Sequence, residues 1–70
     1  MDLPLENLIG DFAKELHELR HEAGLTQEDV SLATGLTQAQ ISNIEHGLVN
    51  PRLDTIIRLA QFYNKSLRLV

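Results

Sequence analysis

Two short helical segments in the middle of the chain constrain the fold most, because each has a recognisable first residue. Thr26 stands three residues before Asp29, and Thr37 stands three residues before Gln40. This spacing is typical of a capping box, in which the side chain of each residue accepts a hydrogen bond from the backbone N–H group of the other. The sequence therefore predicts two short helices in succession, at about residues 27–34 and 38–46.

Two further helices flank this pair. Before it, apolar residues recur at spacings of three and four, namely Leu5, Ile9, Phe12, Leu16, Leu19 and Ala23. After it, the same spacing joins Leu53, Ile56, Ile57 and Ala60. The predicted helices cover about residues 4–23 and 52–63. Residues 66–70 alternate apolar and polar side chains before the last residue and predict a short strand.

These elements predict a single domain over residues 1–70, in the all-α class, built as a bundle of four or five helices. A chain of 70 residues buries only about 60% of its unfolded surface, so its core must be well packed. The chain has no cysteine, so no disulfide supports that core. The expected core consists of Phe12, Leu16, Leu25, Val30, Leu36, Ile41, Ile44, Leu53, Ile56, Ile57 and Ala60.

The charge of the chain is unevenly distributed. The formal net charge is −4, which argues at first against a nucleic-acid partner. Residues 1–29 contain eight acidic and two basic residues, whereas residues 30–70 contain four basic and two acidic ones. A molecule polarised in this way can turn its second half toward phosphate while its acidic first helix faces away.

The segment at 38–46 separates polar from apolar side chains. Gln38, Ala39, Ser42 and Asn43 recur on one side of a helix, and Ile41 and Ile44 fall on the opposite side. Glutamine and asparagine can pair with the adenine edge, serine can bond either kind of base, and an alanine methyl can contact thymine. We therefore predict that this side reads bases in a DNA major groove and that the isoleucines anchor the helix to the core.

A longer run of residues at fixed spacing extends this pattern over about residues 12–67. It comprises Gly24-Leu25-Thr26-Gln27, Gly35, Thr37-Gln38 through Ile41-Ser42, Glu45-His46-Gly47 and Asn50-Pro51. This run resembles the Cro and lambda-repressor (XRE-type) helix-turn-helix family. The resemblance implies a lambda-repressor-like fold and a sequence-specific transcriptional regulator, usually a repressor, with base contacts from Gln38, Ala39, Ser42 and Asn43.

The resemblance also implies roles for residues around the reading helix. Gln27 matches a position that contacts a phosphate and braces that helix, His46 a phosphate contact, and Arg52 a basic residue close to the minor groove. We group Thr37 with these contacts to phosphate or the minor groove. An alternative role for His46 is an interaction with the dipole at the end of its own helix.

Arg20 and Glu45 match a helix-to-helix ion pair in some of these repressors. The pair that the resemblance implies is also reasonable on charge, because an unpaired Glu45 carboxylate beside the reading side would repel phosphate. We expect the pair to be structural and to orient the third helix. The sequence departs from the family pattern at Ser31, where alanine is usual, at Lys65, where an apolar residue is usual, and at His17, where a base is common.

The expected partners are double-stranded operator DNA and a second copy of the chain. The dimer contact is left open between the strand predicted at 66–70 and the apolar residues near the start, among them Leu3, Leu5 and Leu8. The end of the chain resembles HipB-type antitoxins, which implies an autorepressor that also binds a toxin protein. The alternative from another class is a protein-binding helical adaptor without DNA contact, which the acidic total charge supports.

An enzymatic alternative comes from His17-Glu18-Leu19-Arg20-His21, which spells the H-E-x-x-H signature of zinc proteases. A protease needs a third metal ligand and a substrate cleft, and a small helical bundle offers little room for them. We therefore predict a solvated helix side there, and a protein that is not an enzyme and uses no metal or cofactor.

Other features concern location and surface. No apolar run approaches the length of a membrane span, and the acidic Asp2 and Glu6 are unlike the start of a signal peptide. We therefore expect a bacterial or phage protein of the cytoplasm, associated with the nucleoid, with no membrane contact. Leu32, Leu48 and Val49 are expected to be exposed, and Lys14 and Arg58 to be solvated.

Overall fold

The computed structural model describes the backbone of residues 5–64 and the side chains of residues 8–64. This part of the chain forms four helices and no strand: α1 (Leu5–Glu22), α2 (Gln27–Thr34), α3 (Gln38–Glu45) and α4 (Leu53–Tyr63). The predicted all-α class is confirmed, and each helix end lies within one residue of the expected position. The strand predicted at 66–70 and the apolar residues Leu3 and Leu5 lie outside the described side chains.

Both predicted capping boxes are present. The Thr26 hydroxyl accepts from the Asp29 N–H at 3.0 Å, and the Asp29 carboxylate accepts from the Thr26 N–H at 2.9 Å. The hydrogen bond from the Thr26 backbone lowers the pKa of Asp29 below its ordinary value. Thr37 and Gln40 form the second box, with distances of 3.0 and 2.8 Å. The first turns of α2 and α3 are therefore fixed by side chains that the sequence places there.

A tight turn connects α2 to α3. Gly35 ends α2 with φ = 78°, a left-handed conformation that an L side chain rarely adopts, and its N–H donates to the Ser31 carbonyl at 2.9 Å. The Ser31 hydroxyl donates to the Leu36 carbonyl at 2.6 Å. Ser31, where the family favours alanine, thus satisfies a backbone acceptor in the turn. These bonds set the direction in which α3 leaves α2.

The core lies where the four helices meet. α2 packs against both α3 and α4, and α1 packs against α3. The buried cluster comprises Leu16, Val30, Leu36, Ile41, Ile44, Leu59 and Tyr63, with Phe12, Leu19, Leu25 and Phe62 packed against it. The expected core residues on α1, α2, α3 and the turns between them are therefore found in or against the core.

The expected core face of α4 is wrong. Leu53 is 71% exposed, Ile57 is 47% exposed, Ala60 is exposed and Ile56 is half-buried, whereas Leu59 and Tyr63 are buried. The reason is that α4 has one wide apolar side, which runs from Leu59 and Tyr63 past Ile56 to Leu53 and Ile57, so two overlapping stripes fit the same period. The packing of α4 against the cluster formed by the other helices selects the stripe that contains Leu59 and Tyr63.

The pattern of burial along α1 also differs from the prediction. Ala23, assigned to the apolar stripe, is exposed just beyond the end of α1, while Ala13 and Arg20 are buried. The burial of Arg20 depends on a charged partner, which periodicity does not reveal.

None of the helices in residues 5–64 combines the length and apolar character that a membrane span requires. Leu32, Leu48 and Val49 are exposed, as expected.

Candidate nucleic-acid interface

The two sides of α3 differ as predicted. Ile41 is 2% exposed and Ile44 is 5% exposed, so both isoleucines anchor the helix in the core. The four residues assigned to base contacts are on the solvent side, with Ser42 half-buried and the other three exposed, namely Gln38, Ala39 and Asn43. This side carries amide, hydroxyl and methyl groups and no formal charge. It can therefore present hydrogen-bonding groups of the kind that distinguish base pairs.

Arg20 and Glu45 connect α1 to the end of α3. The Arg20 Nε atom lies 2.8 Å from Glu45 Oε2, and its Nη2 atom lies 3.0 Å from Oε1, so the guanidinium grips both carboxylate oxygens. The remaining Nη1 donates to the Leu25 carbonyl at 2.9 Å. Only 10% of the Arg20 side chain and 3% of the Glu45 side chain are exposed. The pair therefore connects α3 to α1 and to the loop before α2.

Two further side chains converge on the same carboxylate. The Nδ1 atom of His17 lies 3.2 Å from Glu45 Oε1, and the Nε2 atom of Gln27 donates to the same oxygen at 3.4 Å. Gln27 thus contacts the end of α3 from the first residue of α2, where it is half-buried. The Gln27–Glu45 contact is the geometry that a brace requires. The carboxylate joins α1, α2 and α3 at one point.

The chemistry of this cluster keeps its groups charged. Burial raises the pKa of the Glu45 carboxyl, but hydrogen bonds from Arg20, His17 and Gln27 outweigh burial, so that pKa lies below its ordinary value. The hydrogen bond to Glu45 raises the pKa of Arg20 above its ordinary value. Burial raises the pKa of the nearby Tyr63 hydroxyl. The negative charge of Glu45 is therefore compensated inside the protein rather than offered to phosphate.

His46 follows α3 directly. Its Nδ1 atom lies 2.7 Å from the Ser42 carbonyl oxygen, and because that oxygen can only accept, Nδ1 is the donor. His46 is exposed and directly follows the solvent side of α3. Both roles considered for His46 are compatible with this position, because the ring caps the last turn and leaves one nitrogen free.

The other residues assigned to phosphate or the minor groove lie at helix starts. Thr37 is exposed at the start of α3, with its hydroxyl oxygen used in the capping box. Arg52 precedes α4 with 85% of its side chain exposed and lies 3.6 Å from the exposed Asp54 carboxylate. Arg58, expected to be solvated, donates to the Thr34 carbonyl at 3.4 Å and thus contacts the end of α2.

His17 is the residue whose contact the sequence did not predict. The sequence marks it only as a departure from a basic family position and as part of the H-E-x-x-H signature, yet its Nδ1 atom lies 3.2 Å from the Glu45 carboxylate. Its place three residues before Arg20 puts both side chains on the same side of α1, and this spacing is the signal that could have revealed the contact.

Helices α2 and α3 form two short helices joined by a tight turn. The second of them has a buried isoleucine side and an uncharged polar side, and the Arg20–Glu45 ion pair contacts its end. This is the arrangement of a helix-turn-helix DNA-binding protein. A family profile described as Helix-turn-helix matches residues 16–70. The chain belongs to the XRE-type helix-turn-helix family of DNA-binding transcriptional regulators.

Several curated proteins are similar to this chain. An uncharacterized HTH-type transcriptional regulator, y4dJ, from Sinorhizobium fredii is 40% identical over 60 residues, which cover 84% of this chain and 73% of that protein. An uncharacterized HTH-type transcriptional regulator from Haemophilus influenzae is 34% identical over 64 residues, covering 91% and 65%. The cryptic phage CTXphi transcriptional repressor RstR of Vibrio cholerae is 35% identical over 52 residues, covering 74% and 47%.

The chain thus spans between about half and three quarters of these relatives. No solved structure matches the chain significantly.

Proposed function

We propose that this chain represses transcription by inserting α3 into successive major grooves of a near-palindromic operator. The observation that carries the proposal is the orientation of α3, whose buried isoleucines leave Gln38 and Asn43 exposed. Ala39 and Ser42 complete the base-reading side. The name of the similar phage protein, a transcriptional repressor, supports the direction of regulation.

Contacts to the DNA backbone would flank the reading side. Gln27 is half-buried against Glu45, so a phosphate bound by its amide would be positioned by the same cluster that positions α3. His46 has one free ring nitrogen at the end of α3, and Arg52 extends into solvent at the start of α4. Thr37 lies at the opposite end of α3. The proposed role of the Arg20–Glu45 pair is to orient this helix.

The proposed form on DNA is a homodimer. Two half-sites about one helical turn, roughly 34 Å, apart require two copies of α3 related by a twofold axis. Leu53, Ile57 and Ala60 share one side of α4 and are exposed there, although α4 is the most apolar of the four helices described within residues 5–64. A second copy that packs against this side would bury it. This side of α4 is therefore a third candidate for the dimer contact, besides residues 66–70 and the start of the chain.

The test is a selection of bound sequences from random duplexes, followed by affinity measurements against the selected operator and a scrambled duplex at several salt concentrations. We expect a near-palindromic operator, a steep fall of affinity with salt, and weak binding to the scrambled duplex because the chain is acidic. A failure to enrich any sequence, together with salt-independent weak binding, would favour the adaptor alternative.

The remaining proposals concern location and a second partner. We place the protein in the cytoplasm with the DNA that it would bind. A toxin partner stays a prediction from the resemblance to HipB-type antitoxins. Co-expression with the product of the neighbouring reading frame, followed by copurification, tests it without affecting the operator measurement.

A further inference from the structure

Neither histidine of the H-E-x-x-H segment of α1 is proposed to contact DNA, and the two lie close together in space. The sequence alone predicts a solvated helix side without a metal at this segment, but we propose that His17 and His21 form a two-imidazole site for a divalent transition-metal ion such as Zn²⁺, bound on the outer surface of α1. The two ring centroids lie 4.4 Å apart with an angle of 57° between the ring planes. Both residues are exposed, so an ion can reach them from solvent.

The geometry suits one shared ion. A zinc–imidazole bond is about 2.0–2.1 Å long, so two nitrogens that bind one ion lie at most about 4 Å apart. Residues four apart on a helix are neighbours on the same side, and rotation of the exposed His21 ring can bring one of its nitrogens within that limit of His17 Nε2. The α1 backbone therefore places both ligands before the ion arrives.

Glu45 prepares one of the ligands. Its carboxylate is ionised and can only accept, so the Nδ1 atom of His17, 3.2 Å away, is the donor in this contact. The lone pair of the neutral ring is then on Nε2, which is free for a metal. A carboxylate that holds a metal-binding histidine in this way fixes its tautomer and makes the ring a stronger ligand.

The surrounding charges are compatible with a cation. Arg20 has its Nη2 atom 3.5 Å from His17 Nδ1, but its charge is compensated by the Glu45 carboxylate. Lys14 lines the same groove as His17 and opposes a cation, while Glu18 and Glu22 beside His21 favour one. Within residues 8–64 no group of three side chains is arranged to hold a metal, so water would complete the coordination. This is a binding site and not the protease centre that the signature would imply.

The experiment is a calorimetric titration of the full chain with Zn²⁺ in a non-chelating buffer, repeated on three variants. We expect the wild type to bind one ion and His21→Ala to lose that binding. His17→Gln, which keeps an amide donor for Glu45, should lose it as well. His46→Ala, which removes the third histidine, a residue that lines the same groove as His17 without belonging to the pair, should keep it. Zn²⁺ should also raise the thermal midpoint of the wild type but not that of His21→Ala, because binding stabilises only the folded site.

Circular dichroism of each variant without metal checks that α1 still folds. Equal Zn²⁺ isotherms for the wild type and His21→Ala would overturn the proposal, as would an absence of binding to the wild type. Loss of binding in His46→Ala would move the site elsewhere and would equally contradict it. The outcome does not depend on whether the chain binds DNA.

Discussion

Helices α3 and α4 show how the distribution of apolar residues determines whether a buried face can be predicted. In α3 the two large apolar residues, Ile41 and Ile44, lie on one side and both are buried. In α4 a wider arc is apolar, and Leu59 is buried while Leu53 is exposed. A helix with few apolar residues has one way to pack, whereas a helix with many has several, and only its neighbours choose among them.

The two helices also differ in how they are held. α3 is joined to α1 and α2 by the charged cluster around Glu45, in addition to its isoleucines. The contact of α4 with α2 is mainly apolar, with one long hydrogen bond of 3.4 Å from Arg58 to the Thr34 carbonyl. Directional hydrogen bonds thus help to set the position of α3, whereas apolar packing largely sets the position of α4.

The strongest test of this difference removes the acceptor of the charged cluster. Glu45→Ala leaves the buried Arg20 guanidinium without its partner, and we expect a loss of about 3–5 kcal/mol of unfolding free energy. Urea unfolding followed by circular dichroism measures the loss. Glu18→Ala on the exposed side of α1 is the matched control and should change stability by no more than about 0.5 kcal/mol. Similar values for the two variants would mean that the cluster does not hold α3.

Acid should act on the same carboxylate. The folded-state pKa of Glu45 lies below its ordinary value of 4.5, so the charged form stabilises the fold above about that pH. The stability that it contributes is lost as the pH falls through the lowered folded pKa. Unfolding free energies measured from pH 6 to pH 3 should fall less steeply in Glu45→Gln than in the wild type. If the two curves of unfolding free energy against pH were parallel, the pKa of Glu45 would be the same in the folded and unfolded states.

The next test compares the apolar residues of the two helices directly. Ile41→Ala removes a buried side chain and should cost about 2–5 kcal/mol. Ile57→Ala, at a position that the sequence also assigned to the core, should cost no more than about 0.5 kcal/mol in the dilute monomer because it is half exposed. If α4 forms the dimer contact, Ile57→Ala will instead weaken dimerisation in sedimentation equilibrium. A large loss of monomer stability would restore the original assignment of Ile57 to the core.

What the sequence could predict follows from this contrast. The capping boxes at Thr26 and Thr37 use residues close in sequence, so the helix starts follow from local pattern alone. The burial of Ile41 follows because no competing apolar stripe exists on α3. The burial of Leu59 does not follow, since it depends on how α2 meets α4 in three dimensions.

The candidate interface divides in the same way. The solvent side of α3 could be predicted from helical spacing, and the approach of Arg20 to Glu45 from the family resemblance and the need to neutralise a carboxylate. Helical spacing places His17 beside Arg20, and the resemblance gives Gln27 a bracing role. That both reach the same carboxylate oxygen could not be predicted, because α1, α2 and α3 meet there only after packing. Contact of any of these residues with DNA stays a prediction.

A smaller effect should separate reading from bracing on DNA. Gln38→Ala removes an exposed amide of the reading side and should cost about 1–3 kcal/mol of operator affinity while relaxing the preference at one base pair. Gln27→Ala should weaken binding to all sequences alike, because its proposed contact is a phosphate. Affinities for the selected operator and its single-base variants measure both effects. Equal losses on specific and random DNA in both variants would contradict the division of roles.

The smallest expected effect concerns the two helix starts. The Thr37 hydroxyl caps α3, whereas the residue before α4, Arg52, makes no side-chain capping bond. Thr37→Ala should therefore cost about 0.5–2 kcal/mol of stability, and Arg52→Ala almost nothing, because only the first removes a partner of a backbone N–H group. Urea unfolding of both variants, with Thr37→Ser as the variant that keeps the hydroxyl, measures the difference. If Thr37→Ser were as unstable as Thr37→Ala, the start of α3 would depend on the threonine methyl group rather than on the cap.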